Sequence, residues 1–206
     1  MTTQEFLSNF WRYYLILEER FENSTRYVEL CAENYSTYSI DFVNQLQAIG
    51  SEVDVIMKSM SGFLPTDRKS ISNYAPKILS SYPDIGKWEI KVRNISCKPF
   101  DGWDVSHPAD SLSWWKAYNS IKHGRDGNFK EANLKNVLSS LIGLYLLEKL
   151  YFKNVSEAAG QPDALLKDSE LFSIVGWKSK YIPFSSMIAT VTEDGCPDIN
   201  GGGPQN

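Results

Sequence analysis

The sequence contains few of the residues that most metal and disulfide sites use. It has two histidines and three cysteines among 206 residues. Cys31, Cys97 and Cys196 are odd in number, lie far apart and form no CxxC pair, a pattern typical of neither a disulfide framework nor a zinc site. We therefore expect free thiols and no bound metal ion.

Long apolar runs and cofactor motifs are also missing from the sequence. No apolar stretch reaches the roughly 18 residues that a membrane-spanning helix needs, and the first residues lack the basic start and apolar centre of a signal peptide. None of the patterns GxxxxGKS/T, GxGxxG or GxSxG occurs, which argues against a phosphate-binding loop, a dinucleotide site and a serine hydrolase. These absences predict a cytoplasmic protein that does not enter a membrane and carries no cofactor.

Charge is distributed unevenly along the chain, although the net charge is only −4. Residues 1–60 hold four Lys/Arg and nine Asp/Glu, whereas residues 86–135 hold nine Lys/Arg and six Asp/Glu. The middle of the chain is therefore its basic part, but an excess of this size by itself favours a solvated surface over a nucleic-acid site. With 42% hydrophobic and 13% aromatic residues, the chain can bury one substantial core, so we expect one domain with an appendage.

The first half of the chain predicts two long helices. Between residues 6 and 28 the apolar residues recur at spacings of three, four and seven, which places them on one helical face. Ser36 or Ser39 can cap a second amphipathic helix over residues 42–60, which Gly62 then ends. Two long helices joined by a short polar link are expected to pack antiparallel.

Residues 61–108 contain five prolines, which exclude a long helix. We expect one short helix near residues 67–80. Residues 88–92 alternate weakly like a strand, although a buried loop fits that pattern equally well. Residues 99–103 carry two large aromatic rings in a turn-like context, so we expect them to close one end of the bundle.

A third main helix is predicted to begin at a cap on Asp110 or Ser111 and to run to His123. Gly124 follows at the position where a left-handed C-terminal cap favours glycine. After a turn at residues 125–128, a fourth helix opens near Phe129 or Lys130 and ends around residues 151–154. Its apolar residues occupy more than one face, so we expect it to be the central and most buried helix.

The end of the chain differs in character from the helical part. Three short apolar runs, at residues 171–175, 181–184 and 187–192, look more like strands than helices. The sequence therefore predicts a mainly α fold, an up-and-down bundle of four to five helices with a small β appendage at the C-terminus. Its expected divisions are the bundle at residues 1–155, the appendage at 156–194 and a disordered Gly/Pro/Asn-rich tail at 195–206.

The third helix carries the cluster with the most chemistry. At about 100° per residue, its apolar face is separated from a neighbouring ridge that can face solvent or a partner chain. Asn119 and His123 lie one turn apart, so their side chains can meet, and Arg125 can fold back towards them. The apolar face comprises Trp114, Ala117, Tyr118 and Ile121, and the ridge comprises Trp115, Asn119, Lys122 and His123.

These groups suit one reaction class. An imidazole exchanges protons near neutral pH, an amide can hold its tautomer, and arginine or lysine can neutralise a phosphate. Together they could activate a ribose 2′-hydroxyl against the adjacent phosphodiester without a metal. The alternative is purely structural, because a His-Gly pair at a helix C-terminus is favourable without any activity.

The segment Tyr118-Asn119-Ser120-Ile121-Lys122-His123 resembles the motif of the HEPN superfamily, helical domains of prokaryotic defence and toxin systems. That motif has an Arg, a polar residue that is usually Asn, Asp or His, and then a His, with about four to six positions between Arg and His. The chain matches the polar residue with Asn119 and the histidine with His123, but has Tyr118 where the arginine is expected. The resemblance covers residues 5–152 and implies a bundle of four to five helices.

In active members, the resemblance implies a metal-independent endoribonuclease whose motifs from two subunits face each other across a dimer interface. Carried over, His123 is the acid/base group and Asn119 orients it. Arg125 or Lys122 could replace the arginine, with Lys122 contacting phosphate, and Trp115 could stack a base or a dimer partner. The expected partners are RNA and a second copy of the chain. The alternative is an inactive interaction module with a protein partner encoded in the same operon.

Two other candidate sites are less favoured. Glu18-Glu19 and Glu52-x-Asp54 suggest a carboxylate metal site between the first two helices, but the Glu-x-x-His motifs of di-iron bundles are absent. We expect these acidic residues to form a solvated face. His107 could join the cluster from the preceding loop, although a loop histidine is more often simply exposed.

Overall fold

The computed structural model describes residues 1–179 and, for the backbone alone, Thr190–Val191 and Pro197–Asp198. The described chain is mainly helical with a small antiparallel sheet, as the sequence predicts. None of the described helices has the length and apolar character needed to cross a membrane. The helices are α1 (Thr3–Phe6), a π-helical turn (Leu7–Trp11), α2 (Arg12–Ser24), α3 (Ile40–Met60), α4 (Ile71–Ser81), α5 (Ser113–Asn128) and α6 (Leu134–Ala158).

The first long helix ends at Ser24, so the prediction that it reaches Val28 is wrong. Its C-terminal end is rich in side chains that compete for backbone groups. The Ser24 hydroxyl donates to the carbonyl of Arg20 at 3.2 Å, and the Thr25 hydroxyl donates to that of Glu22 at 2.8 Å. These contacts favour a turn over further helix.

Helix α3 begins and ends as predicted. Ser39 is its N-cap, with the side-chain oxygen accepting the N–H of Phe42 at 3.0 Å. The helix ends at Met60, and Gly62 adopts a left-handed conformation with φ of 69°. Helix α3 packs most extensively against α6, and it also contacts α2, α4 and α5.

Helix α6 is the central helix, which confirms the prediction from its apolar pattern. Every side chain from Val137 to Leu150 is buried except that of Ser139. Its predicted start is four or five residues early, because a 3-10 turn at Phe129–Glu131 precedes the true N-cap, Asn133. It also continues to Ala158, beyond the expected end.

A three-stranded antiparallel sheet joins distant parts of the chain. Strand β1 (Ile90–Val92) pairs with β2 (Ile95–Cys97) on one side and with β3 (Phe172–Ile174) on the other. For residues 88–92 the sequence left a strand and a buried loop open, and the strand is correct at Ile90–Val92. Strand β3 lies in the same sheet as β1, so this part of the expected appendage is built into the structure around the bundle.

Other contacts fix the described part of the C-terminal segment to the helices. The indole N–H of Trp11 donates to the carbonyl of Lys167 at 2.8 Å, and the ring of Phe172 packs on that of Tyr145. The predicted runs at 181–184 and 187–192 and the tail at 195–206 lie outside the described residues, apart from the backbone pairing of β4 (Thr190–Val191) with β5 (Pro197–Asp198).

The aromatic loop at residues 99–103 packs against α5. Phe100 and Trp103 are buried. The indole N–H of Trp114 donates to the carbonyl of Pro99 at 2.8 Å, and that of Trp103 donates to Pro108 at 3.0 Å. This loop therefore sets the position of the N-terminal half of α5.

Candidate functional site

The candidate cluster lies on the C-terminal half of α5, where the helix is kinked. Gly124 departs from helical geometry, with φ of −163° and ψ of 56°, and the helix then resumes to Asn128. The prediction of a left-handed glycine cap followed by a turn at residues 125–128 is therefore wrong. The Asn128 side chain explains the difference, because its Nδ2 donates to the carbonyl of Gly124 at 2.7 Å and satisfies a group that the kink exposes.

The start of α5 also differs from expectation. The N-cap position is Leu112. The predicted caps, Asp110 and Ser111, lie two residues and one residue before it. The Asp110 carboxylate instead forms an ion pair with Lys116 at 3.5 Å on the exposed side of the helix. Lys116 is therefore already ion-paired, unlike the cations of the cluster further along the helix.

Trp115 is buried, so the expectation that its ring faces solvent is wrong. Only 4% of the residue is exposed, and its ring packs on those of Trp114 and Tyr118, with centroids 6.1 and 5.1 Å away. Helix α5 contacts both α3 and α6, so its buried face is wider than a helix packed on one neighbour would have. In this arrangement Trp115 cannot stack an RNA base.

Tyr118, which stands at the motif's arginine position, is a core residue. It is 5% exposed, and its ring lies against Gly50 of α3 so closely that a Cβ atom at Gly50 would overlap the ring carbons. The tyrosine therefore fills a place in the α3–α5 interface. A charged side chain could not take that place without burying its charge.

The remaining members of the cluster are accessible. Lys122, His123 and Arg125 are exposed, and Asn119 is half-buried. The Lys122 ammonium lies 5.4 Å from the centre of the Tyr118 ring. Within residues 1–179, no hydrogen bond or ion pair joins His123, Asn119 or Arg125 to one another or to other side chains. The hydrogen bond by which Asn119 would orient His123 is thus not formed in the single chain.

His107 does not join this cluster through any hydrogen bond to it. It is exposed in the loop before α5, and its backbone N–H donates to the Asp104 carboxylate at 2.9 Å. That carboxylate also accepts the N–H of Ser106 at 2.7 Å, and these two bonds lower the pKa of Asp104. The arrangement is a structural turn around an acidic side chain.

Of the four acidic residues expected to form a solvated face, Glu19 is exposed and Asp54 is half-buried, but the expectation is wrong for Glu18 and Glu52. Glu18 is 4% exposed and accepts hydrogen bonds from the Tyr14 hydroxyl, from the Ser169 hydroxyl at 2.6 Å and from the N–H of Glu170 at 2.8 Å. It is a buried acceptor that holds the C-terminal segment. Glu52 is also buried, at 9% exposure.

A further buried carboxyl was missed altogether by sequence reasoning. Glu148 of α6 is fully buried, and neither of its carboxyl oxygens has a hydrogen-bond partner. Burial and the nearby Glu52 carboxyl raise the pKa of Glu148 well above its usual value, and burial raises that of Glu52 to about 7. The position of Glu148 within the apolar run of residues 144–150 was the available signal.

The described residues contain no group of three or more His, Cys, Asp or Glu side chains placed to hold a metal ion. The side chains of the α5 cluster supply an imidazole, an amide, an ammonium and a guanidinium group, which can transfer a proton and neutralise an anion. The chain matches no protein-family model, no curated protein and no solved structure.

Proposed function

We propose that this protein is a cytoplasmic, homodimeric HEPN-like RNA-binding protein that cleaves RNA without a metal ion, as part of a defence or toxin–antitoxin system. The observation that carries the proposal is the state of His123, Lys122 and Arg125. All three are exposed on one short stretch of α5 and are engaged in no hydrogen bond or ion pair with the described residues. Helix α5 continues to Asn128, so Lys122 and His123 precede its last turn and do not serve to cap its C-terminal end.

The proposed reaction needs one group to take a proton and one to give a proton. The ribose 2′-hydroxyl attacks the adjacent phosphorus, and the bond from phosphorus to the 5′-oxygen breaks. His123 of one copy accepts the proton of the 2′-hydroxyl, and His123 of the second copy donates a proton to the departing 5′-oxygen. The products carry a 2′,3′-cyclic phosphate and a 5′-hydroxyl.

The cations of the cluster take the part of the missing motif arginine. Negative charge grows on the phosphoryl oxygens as the 2′-oxygen attacks, and a guanidinium or ammonium held nearby stabilises it. Arg125 lies two residues after His123, just beyond the Gly124 kink, and Lys122 lies directly before His123. Both can reach a phosphate next to the imidazole, whereas Tyr118 is occupied in the core.

The test compares RNA cleavage by the wild type and by His123→Ala, in EDTA, with scoring for 2′,3′-cyclic phosphate ends. The His107→Ala variant is the matched control, because His107 is the other histidine and is also exposed. We expect cleavage by the wild type and the control, and its loss in His123→Ala. Equal cleavage by all three proteins, or cleavage only when a divalent cation is added, would overturn the proposal.

A second candidate function is a non-catalytic module that dimerises or binds an operon-encoded partner protein. Two observations favour it: Tyr118 is buried where the motif has arginine, and Asn119 makes no hydrogen bond to His123. Under this alternative, neither the wild type nor His123→Ala cleaves RNA. Size-exclusion chromatography with light scattering then distinguishes a dimer from a monomer that awaits its partner.

A further inference from the structure

A groove of 350 Å³ opens beside the C-terminal half of α6, well separated along that helix from the end of α5. It is bounded by α6, by the chain that follows α4 and by the residues just after β3. Sequence reasoning placed no functional site in this region. The side chains that matter for its chemistry are Tyr82, Trp88, Lys153, Asn154 and Trp177.

The groove presents two indole rings. Trp88 and Trp177 are both half-buried, their ring centres lie 5.6 Å apart, and the ring planes are inclined by 58°. Trp177 is oriented by a hydrogen bond from its indole N–H to the Ser179 hydroxyl at 3.2 Å. Trp88 has no such partner, and its N–H donates to none of the residues that the structure describes. Large aromatic surfaces left open in a groove are suited to stacking a flat ring.

The groove also contains a cation that is not neutralised. The Lys149 and Lys153 ammonium groups lie 5.7 and 5.2 Å from the centre of the Trp177 ring. Lys149 is paired with Asp168 at 2.7 Å, whereas Lys153 forms no ion pair or hydrogen bond with any residue of the described chain. Lys153 is therefore available to an anionic ligand.

The acidic and polar groups at the rim are compatible with such a ligand. Asp84 is ion-paired with Lys87 at 2.7 Å, so its charge is offset. The Asn154 side-chain amide donates to the Tyr82 hydroxyl, which fixes the amide and leaves its oxygen free to accept a hydrogen bond. Glu157 is the remaining carboxylate of the rim and lies one helical turn after Lys153 in α6.

We propose that this groove binds a nucleotide. The base stacks against the Trp88 ring, the phosphate lies beside the Lys153 ammonium, and the Asn154 oxygen accepts a hydrogen bond from an amino group of the base. A nucleotide supplies in one molecule a flat ring for Trp88, a negative charge for Lys153 and an amino donor for Asn154. The same chemistry is present in a free mononucleotide and in one unit of a single-stranded RNA.

The experiment measures binding of adenosine monophosphate and of a short fluorescein-labelled oligoadenylate to the full-length protein. Tryptophan fluorescence reports the first probe and fluorescence anisotropy the second. Lys153→Gln removes the cation at a half-exposed position without disturbing the core, and Trp88→Ala removes the stacking surface. Lys91→Gln is the matched control, because Lys91 is an exposed lysine of β1 outside the groove.

We expect both groove variants to bind about tenfold or more weakly than the wild type, because Trp88→Ala removes the stacking surface and Lys153→Gln removes the cation beside the phosphate. The control should bind as the wild type does. Binding of the mononucleotide alone identifies a free nucleotide as the ligand, and binding of the oligonucleotide alone identifies an RNA strand. The proposal is overturned if the wild type binds neither probe, or if Lys153→Gln and Trp88→Ala bind both as the wild type does. Binding of adenosine monophosphate in the groove and cleavage of RNA at the α5 cluster are measured by separate assays, so one can fail without the other.

Discussion

The ring of Tyr118 in α5 packs directly on the backbone of Gly50 in α3. The absence of a side chain at Gly50 is what allows the tyrosine to lie there. Tyr118 is thus part of the interface between two helices. The identity of residue 118 therefore affects the stability of the bundle, and its side chain is not part of the accessible cluster.

We predict that Gly50→Ala destabilises the protein by about 1 to 3 kcal/mol, because the added methyl group overlaps the Tyr118 ring. This loss exceeds the gain of up to about 1 kcal/mol that alanine brings to a helix interior. The free energy of unfolding from urea denaturation measures it. Gly127→Ala is the control, since a Cβ atom there meets nothing within 4 Å. If Gly50→Ala is as stable as the control, the close packing of Tyr118 on Gly50 is not maintained in solution.

Arg125 and Lys122 give a prediction about the missing arginine. If either cation stabilises the charge that develops on the phosphate, replacing that residue by alanine should lower the cleavage rate about a hundredfold with little change in stability. Lys116→Ala is the control, because Lys116 is exposed on the same helix but paired with Asp110. Single-turnover cleavage of a defined RNA distinguishes the two cations. Unchanged rates in Arg125→Ala, Lys122→Ala and the double variant would exclude this role for both.

Local signals in the sequence predict the helices of this fold well. The Ser39 cap and the apolar pattern of α3 give both ends of that helix, and the apolar residues on several faces of α6 identify it as the central helix. These features depend on neighbouring residues, which the sequence displays directly. The ends of α2 and the start of α6 are less predictable because short turns with competing side-chain hydrogen bonds decide them.

Contacts between distant residues account for what sequence reasoning missed. Helical periodicity places Trp115 beside the apolar face, but its burial depends on α5 touching both α3 and α6. The pairing of β3 with β1 joins segments about eighty residues apart. Glu148 stands in an apolar run, yet only the structure brings Glu52 near it. In the candidate cluster, the sequence indicates the exposed cations and histidine and places Tyr118 on the apolar face, but it does not show that Tyr118 packs on Gly50.

The buried carboxyls give a prediction about pH. The folded protein favours the protonated form of Glu52, because burial raises its pKa from 4.5 to about 7. A raised pKa contributes stability below about pH 4.5, and that contribution is lost as the pH rises through about 7. The Glu148 pKa is raised as well. We therefore expect the free energy of unfolding to fall by roughly 2 kcal/mol between about pH 5 and about pH 8.

The Glu148→Gln variant tests whether the buried carboxyls cause this pH dependence of stability, since glutamine keeps the shape of the side chain and cannot ionise. The variant should be more stable than the wild type at about pH 8, and the advantage should shrink at about pH 5. Glu19→Gln makes the same change at an exposed position and should leave the pH dependence intact. A wild-type stability that rises over this interval would show that the two carboxyls do not dominate the titration.

The last prediction concerns Glu18 and the segment that it holds. Replacing Glu18 by alanine leaves the Ser169 hydroxyl, the Glu170 N–H and the Tyr14 hydroxyl without their acceptor. Because each buried polar group left unpaired costs about 1 to 3 kcal/mol, and some of these will find water, we expect a net loss of about 2 to 4 kcal/mol. Urea denaturation measures this loss against Glu19→Ala, which changes a neighbouring exposed carboxylate.

Hydrogen exchange shows where that loss falls. Strand β3 lies directly after the residues that Glu18 binds and pairs with β1. In Glu18→Ala, the amides of Glu170 and of β3 should therefore exchange faster, while those at the centre of α6 change less. If β3 keeps its protection, its pairing with β1 holds the segment without Glu18. If α6 loses protection to the same extent as β3, segment and bundle unfold as one unit, and the C-terminal strand is an integral part of the core.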